Sequence, residues 1–248
     1  MKTSENRPDP RAYIADGAVV HATAQVHAGA WIASRTELGP GVIVGPGAVI
    51  GFGHPENAAG SVKIAEHAFI GAGAHIEPGV HVGPDAEIQS GSILRTGTRI
   101  GTGAHVGPRC VLMGHCDVQE YASLYAEVHV CEHATLHPHC QLAPGVKLLN
   151  DSCPPTQLDV RGPTIGRCAV IGVNAVIWLG VRVGSHAIVA TASVVRNDVP
   201  DYTLVRGAPA KPICDTRRIR LRLGDRWVYP YPWTRHVIEG EDVSKPAP

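Results

Sequence analysis

Large aromatic side chains are scarce: the 248 residues include only 2 Phe, 6 Tyr and 4 Trp. A core filled mainly by rings is thereby excluded, and small residues and branched aliphatics must fill it instead. An excess of either charge is also missing, because 22 Lys and Arg balance 22 Asp and Glu. Apart from "RRIRLRLGDR" near the C-terminus there is no long basic run, which argues against nucleic acid or an anionic membrane as a partner. No apolar run approaches transmembrane length, and the opening "MKTSENRPDPRAY" lacks an apolar signal core, so a cytoplasmic protein is expected. The seven Cys form no CxxC pair, which removes the usual spacing of a zinc ribbon or a redox motif.

Glycine is abundant, at 28 residues, and so is one strict rhythm. Ile14, Val20, Val26, Ile32, Leu38, Val44 and Ile50 follow one another at steps of six. The phase slips, resumes at Ile64 and runs without error to Leu148, then slips again and returns from Ile165 to Val195, giving 28 hexapeptides in all. Four residues after each anchor the side chain is small, as at Ala68, Ala74, Ala86, Ser92, Thr98 and Ala104. Cys110, Cys116 and Cys140 fall in this same slot, which reads as packing. Glycine recurs within the three positions that follow the anchor, as in "VGPGAV", "IGAGAH" and "IGTGAH", where a tight corner needs an unusual backbone conformation. Six residues thus make one short strand and one corner, and three such units close a triangular coil. About nine coils, stacked at the β spacing of about 4.8 Å, would make an all-β prism about 43 Å long.

The two slips are steps of fourteen, from Ile50 to Ile64, and of seventeen, from Leu148 to Ile165. Neither is a multiple of six, so loops are expected to leave the wall near residues 51–63 and 149–164. Pro154, Pro155 and Pro163 in the second segment oppose strand pairing. Loops on a rigid scaffold are where binding groups concentrate. Residues eighteen apart should also stack on successive coils, so His115, His133 and Asp151 form a column, with Gly114, Glu132 and Asn150 beside it.

The pattern resembles the left-handed parallel β-helix of the hexapeptide-repeat acyltransferases over about Ile14 to Ile213; handedness is taken from the resemblance. Residues 1–13 then form a lead-in, 14–213 the β-helix and 214–248 a short C-terminal extension. The extension alternates like a small hairpin around Leu223-Gly224-Asp225, with a disordered tail after it. "VVRNDVP" and "RGAPAKPI" are similar to the closing coils of acetyl-CoA-dependent sugar acetyltransferases. That resemblance implies backbone near Ala175, Ala187 and Ala192 lining the pantetheine channel, with Arg206 and Lys211 near the nucleotide end. More narrowly, "GFGHP", "VCEHA" with Glu132 and "LLNDSCP" with Asn150 resemble enzymes that N-acylate nucleotide-linked amino sugars, and Arg95 in "LRTGT" fits them. A Gly-His pair often found in that family is absent, Ser90 and Gly91 standing there.

Amine acylation needs a neutral amine, an aligned thioester and donors for the oxyanion. A histidine can take the amine proton and a carboxylate can hold the incoming ammonium. His133 is the expected base, with His115 and Glu132 as its catalytic neighbours and Asn150, Asp151, Arg95 and Tyr125 contacting substrate. A homotrimer is expected from the family. The alternatives are a γ-carbonic anhydrase-like zinc enzyme and a non-catalytic β-helix scaffold. No two of the fourteen His are five apart, the ligand spacing of the zinc family. Acyl-carrier-protein-dependent transferases of lipid A synthesis carry a sizeable helical C-terminal domain, for which 214–248 is too short.

Overall fold

The structure, a computed structural model, describes residues 8–54, 60–151 and 160–219. Each hexapeptide contributes a strand of two or three residues, from Tyr13–Ile14 through Val194–Val195. Among the described residues these strands build three parallel walls: a first of ten strands beginning at Tyr13–Ile14, a second of nine beginning at Val19–Val20 and a third of nine beginning at Gln25–Val26, which two further strands of the C-terminal cap extend to eleven. Every strand pairs in register with the one eighteen residues earlier where no loop intervenes, as His105 pairs with Ser123 and Val111 with His129. The result is a left-handed parallel β-helix of nine full coils with a tenth begun.

Alternation explains the thinness of the core. In each two-residue strand the anchor points inward and its predecessor outward. Ile70, Ile76, Ile88, Leu94, Leu112, Leu124 and Leu136 are fully enclosed, whereas Ile14 and Val20 of the terminal coil are half-buried. The small slot lies inside as expected, with Ala68, Ala74, Ala104, Cys110 and Cys140 at 0% exposure. Burial in apolar surroundings pushes the Cys110 thiol up to about 11 and that of Cys116 up to about 12. It also raises Cys140. A thiol reagent should therefore modify exposed Cys214 in the native protein. Cys110, Cys116 and Cys140 should react only after denaturation, an order that peptide mapping of timed labelling can check.

The corners differ from the sequence expectation in one respect. The third residue after the anchor takes a left-handed conformation whether or not it is glycine: His67, Arg109, His115, Tyr121, Glu127, His133 and His139 have φ between 48° and 62°. Such backbone costs about 1–2 kcal/mol per non-glycine residue. What these positions gain is a side chain that lies along the corner against the coil before it. Tyr121 stacks with His139 at 5.2 Å and His186 with Tyr202 at 4.8 Å.

Beyond Val195 the regular coils give way to a cap. Val199 bridges Val183. The strand Thr203–Gly207 then pairs parallel with Ile188–Val189 and antiparallel with Ala210–Asp215. The hairpin expected around Leu223-Gly224-Asp225 and the tail after it lie outside the described residues. Among the described residues no helix is long and apolar enough to cross a membrane.

Candidate active site

Both loops leave the prism at the same edge. The first follows Ile50 and the second Leu148, and each of these anchors ends a strand of the first wall. The corner joining the first wall to the second therefore carries both interruptions.

Between the two loops this corner holds the expected histidine column. His115 and His133 stack face to face with ring centroids 5.4 Å apart and planes inclined by 14°. Each has a left-handed backbone, φ 48° and 62°, and each is exposed. Below them Gly97 supplies the floor, for a Cβ there would lie 2.5 Å from the His115 ring. Glu132 and Asn150, the second residues after their anchors, stand beside the column and are half-buried.

Asp151 does not continue the column. Position eighteen beyond His133 belongs to the outgoing arm of the second loop, and the returning arm fills the corner instead. Arg161 N–H donates to the Asn150 carbonyl at 3.0 Å, and Gly180 N–H donates to the Arg161 carbonyl at 2.9 Å. Gly162 thereby sits directly over His133, so close that a Cβ on it would fall 2.1 Å from the His133 carbonyl carbon. Thr135 N–H then donates to the Pro163 carbonyl at 3.0 Å, restoring the wall. Arg161 and Gly162 thus lie at the candidate corner, which spacing alone did not reveal; the signal was their place just before the rhythm resumes.

Arg95 lies on the same corner, lower down, and is held by a partner the sequence reading missed. Glu77, eighteen residues earlier, accepts from Arg95 Nε at 3.3 Å and from both the backbone N–H and the hydroxyl of Thr96 at 3.0 Å. Burial acts to raise the Glu77 carboxyl, but the Thr96 hydrogen bonds and the Arg95 charge outweigh it and hold it below its ordinary value. Higher up, the Arg196 guanidinium covers the Trp178 ring at 4.7 Å.

The other expected residues are distributed elsewhere. Tyr125 is exposed at the corner between the third and first walls. Ala175 and Ala187 are fully buried, their methyl groups in the prism interior. Ala192, exposed, lies one coil beyond Ala175 on one corner, whereas Ala187 follows a different corner. Arg206 and Lys211 are exposed and face each other across the terminal hairpin. Among the described residues no three His, Cys, Asp or Glu side chains converge as a metal ion would require.

Comparison with known proteins adds the following. Residues 61–96 match the family described as bacterial transferase hexapeptide (six repeats), and residues 164–196 match the hexapeptide repeat of succinyl-transferase. A 2,3,4,5-tetrahydropyridine-2,6-dicarboxylate N-acetyltransferase from Staphylococcus aureus (strain bovine RF122 / ET3-1) is 59% identical over 44 residues, which is 18% of this chain and 18% of that protein. Its counterpart from Enterococcus faecalis is 57% identical over 44 residues, 18% of this chain and 19% of that one. The chain therefore matches less than a fifth of the length of these curated relatives. Among solved structures, the UDP-N-acetylglucosamine acyltransferase from Campylobacter jejuni superposes with a TM-score of 0.57 at 20% identity, covering 85% of this chain and 75% of its own. The Arabidopsis UDP-N-acetylglucosamine acyltransferase gives 0.56 at 18% identity, covering 84% and 73%. At these identities the structures speak for the fold. The twice-interrupted hexapeptide rhythm and the three-walled prism agree with these two segments, each of which matches a hexapeptide family.

Proposed function

We propose that this chain transfers an acetyl group from acetyl-CoA to the amine of a nucleotide-linked amino sugar, and that the first corner is where it does so. The observation that carries the reading is the stacked His115–His133 pair at the foot of the second loop, with Glu132 and Asn150 alongside. An imidazole on a rigid corner, next to a carboxylate and an amide, is what amine activation requires. N-Acetyl transfer is also the reaction named for the curated relatives, although their acceptor is a dicarboxylate.

In this reading His133 takes the proton as the amine nitrogen attacks the thioester carbonyl carbon. The C–N bond forms, the C–S bond breaks, and the proton passes to the departing thiolate, so that amide and thiol are the products. Glu132 holds the incoming ammonium, which releases its extra proton to solvent before the attack, and His115 supports the His133 ring from below. Asn150 and Asp151 contact the sugar at the mouth of the loop, with Arg95 and Tyr125 reaching outlying parts of the substrate. The donor runs along the closing coils by the backbone near Ala175 and Ala192, with that near Ala187 coming from another corner, towards Arg206 and Lys211.

Both histidines are exposed, and acyl transfer benefits from a site shielded from water. A second prism wall beside this corner would supply the shield, which favours a homotrimer closed by cyclic symmetry. Light scattering should give three times the 26.2 kDa chain mass; a stable monomer at micromolar concentration would remove this part of the reading.

The test of the reaction is CoA release with a panel of amino-sugar nucleotides, and with tetrahydropyridine dicarboxylate as the rival acceptor. Release with the sugars, and an acetylated product by mass spectrometry, is the expected result. Release with the dicarboxylate alone would reassign the acceptor. Bicarbonate dehydration with bound zinc and no CoA release would select the carbonic anhydrase reading, and no turnover of either kind would favour the scaffold.

A further inference from the structure

A second group of polar side chains lies one corner away. The short strand Thr135–Leu136 runs from the corner of His133 to that of His137, so these two histidines belong to different edges of the prism. His137 is half-buried and borders a cavity of about 300 Å³ formed with the coils above it. Thr164, Arg182, Ser185, Asp198 and Asp201 complete its polar lining. Part of its floor is glycine: a Cβ on Gly166 would meet Ser185 N at 2.6 Å, and one on Gly184 would meet Asp201 N at 2.4 Å. Backbone this close to backbone leaves no room for side chains there, and the cavity stays open.

The chemistry of this cavity follows from a chain of hydrogen bonds. Gln119 Nε2 lies 2.9 Å from Asp117 Oδ2, and a carboxylate can only accept, so the amide nitrogen must face Asp117. That leaves Gln119 Oε1 facing His137 Nδ1 at 3.1 Å. An amide oxygen also only accepts, so Nδ1 carries the proton. His137 is thereby fixed as the tautomer whose Nε2 carries the lone pair, and the residue itself lines the cavity. The two aspartates are similarly half-committed. Asp198 Oδ1 accepts from Arg182 N–H at 2.8 Å and Asp201 Oδ1 from Ser185 N–H at 2.7 Å. Each carboxylate retains a second oxygen. The lining thus sets two carboxylates against the single Arg182 guanidinium, with two hydroxyls that can donate or accept.

We propose that this cavity is a binding site for a small amine-bearing polyol, with His137 Nε2 accepting a hydrogen bond from the ligand and Asp117 and Gln119 acting as positioning residues that fix the imidazole. The ligand class follows from the charge of the lining: Asp198 and Asp201 outweigh Arg182, which favours an ammonium over an anion, and hydroxyl groups can pair with the carboxylates, the guanidinium and the hydroxyls alike. The site goes beyond the acyl transfer assigned to the first corner and does not depend on it.

The experiment is a long-range ¹H–¹⁵N NMR spectrum of the full chain, with D-glucosamine as the probe and His137 identified by the signal lost in His137→Gln. In the wild type the proton should reside on Nδ1, and glucosamine should shift the Nε2 resonance in a saturable way. Gln119→Leu should abolish the tautomer preference and weaken glucosamine about tenfold, the size of one lost hydrogen bond. Ser185→Ala, which leaves the relay intact, should weaken binding while the tautomer is kept. A proton found on Nε2 overturns the proposal. So does a His137 signal that glucosamine leaves in place up to its solubility limit, or one that moves with CoA and not with the sugar. Because the readout is a resonance and not turnover, failure here and failure of the acyl-transfer assay are separate events.

Discussion

Replacing His133 by alanine is expected to lower turnover about a hundredfold or more, the usual contribution of a positioned general base. The Michaelis constant should change less, since proton removal is needed in the transition state more than in the bound ground state. The geometry also orders the neighbouring substitution. His115 lies beneath His133, one coil further from the loop, with its ring 5.4 Å from its neighbour's. His115→Ala removes a stacking partner and leaves the base in place, so its effect on turnover should be smaller. Steady-state kinetics across pH decides the matter. A loss of only a few-fold at His133, with turnover rising through the pKa of the substrate amine itself, would show that the departing thiolate takes the proton. The corner would then be a binding surface, and the transfer reaction would stand without a protein base.

Leu124→Ala should destabilise the chain by about 2–5 kcal/mol, the range for truncating a fully enclosed leucine. Leu124 is at 0% exposure, and its strand lies in register between those of Val106 and Leu142. The surrounding walls cannot readily collapse into the hole, because each coil is hydrogen-bonded to the coils above and below, as Gly107 N–H is to the Leu124 carbonyl at 2.7 Å. The same change at half-buried Ile14 should cost much less, as that residue sits in the terminal coil and loses fewer contacts. Urea titration of the two variants measures the difference; equal losses would contradict a core whose strength depends on neighbours on both sides.

The period of six was enough to place nearly every inward residue, because in a strand of two residues the choice of face is binary and one aliphatic anchor decides it. From Ile64 to Leu148 each anchor expected inside is inside. The site was legible only in part. Steps of eighteen predicted the His115–His133 stack, since stacking follows from the coil and no other knowledge is needed. The same arithmetic failed at Asp151, because the loop re-enters the corner by its far end and puts Gly162 over His133. Glu77 was hidden for another reason: it lies eighteen before Arg95, but whether a carboxylate turns towards a guanidinium or away is settled by the Thr96 N–H and hydroxyl that trap it. The Asp117–Gln119–His137 relay depends likewise on which way an amide faces, and no spacing rule contains that.

Both loops spring from one edge, and five strand pairings of the first wall separate their roots, from Val49 to Lys147. Their separation is therefore quantised, at about 4.8 Å per coil and about 24 Å in all. Deleting or duplicating eighteen residues between them would slide one loop along the edge by a single increment, keeping both aimed the same way. Adding or removing six would instead swing the second loop a third of a turn, onto another edge of the prism. Distance and direction are thus independent settings in this architecture, the first adjusted by whole coils and the second by single hexapeptides.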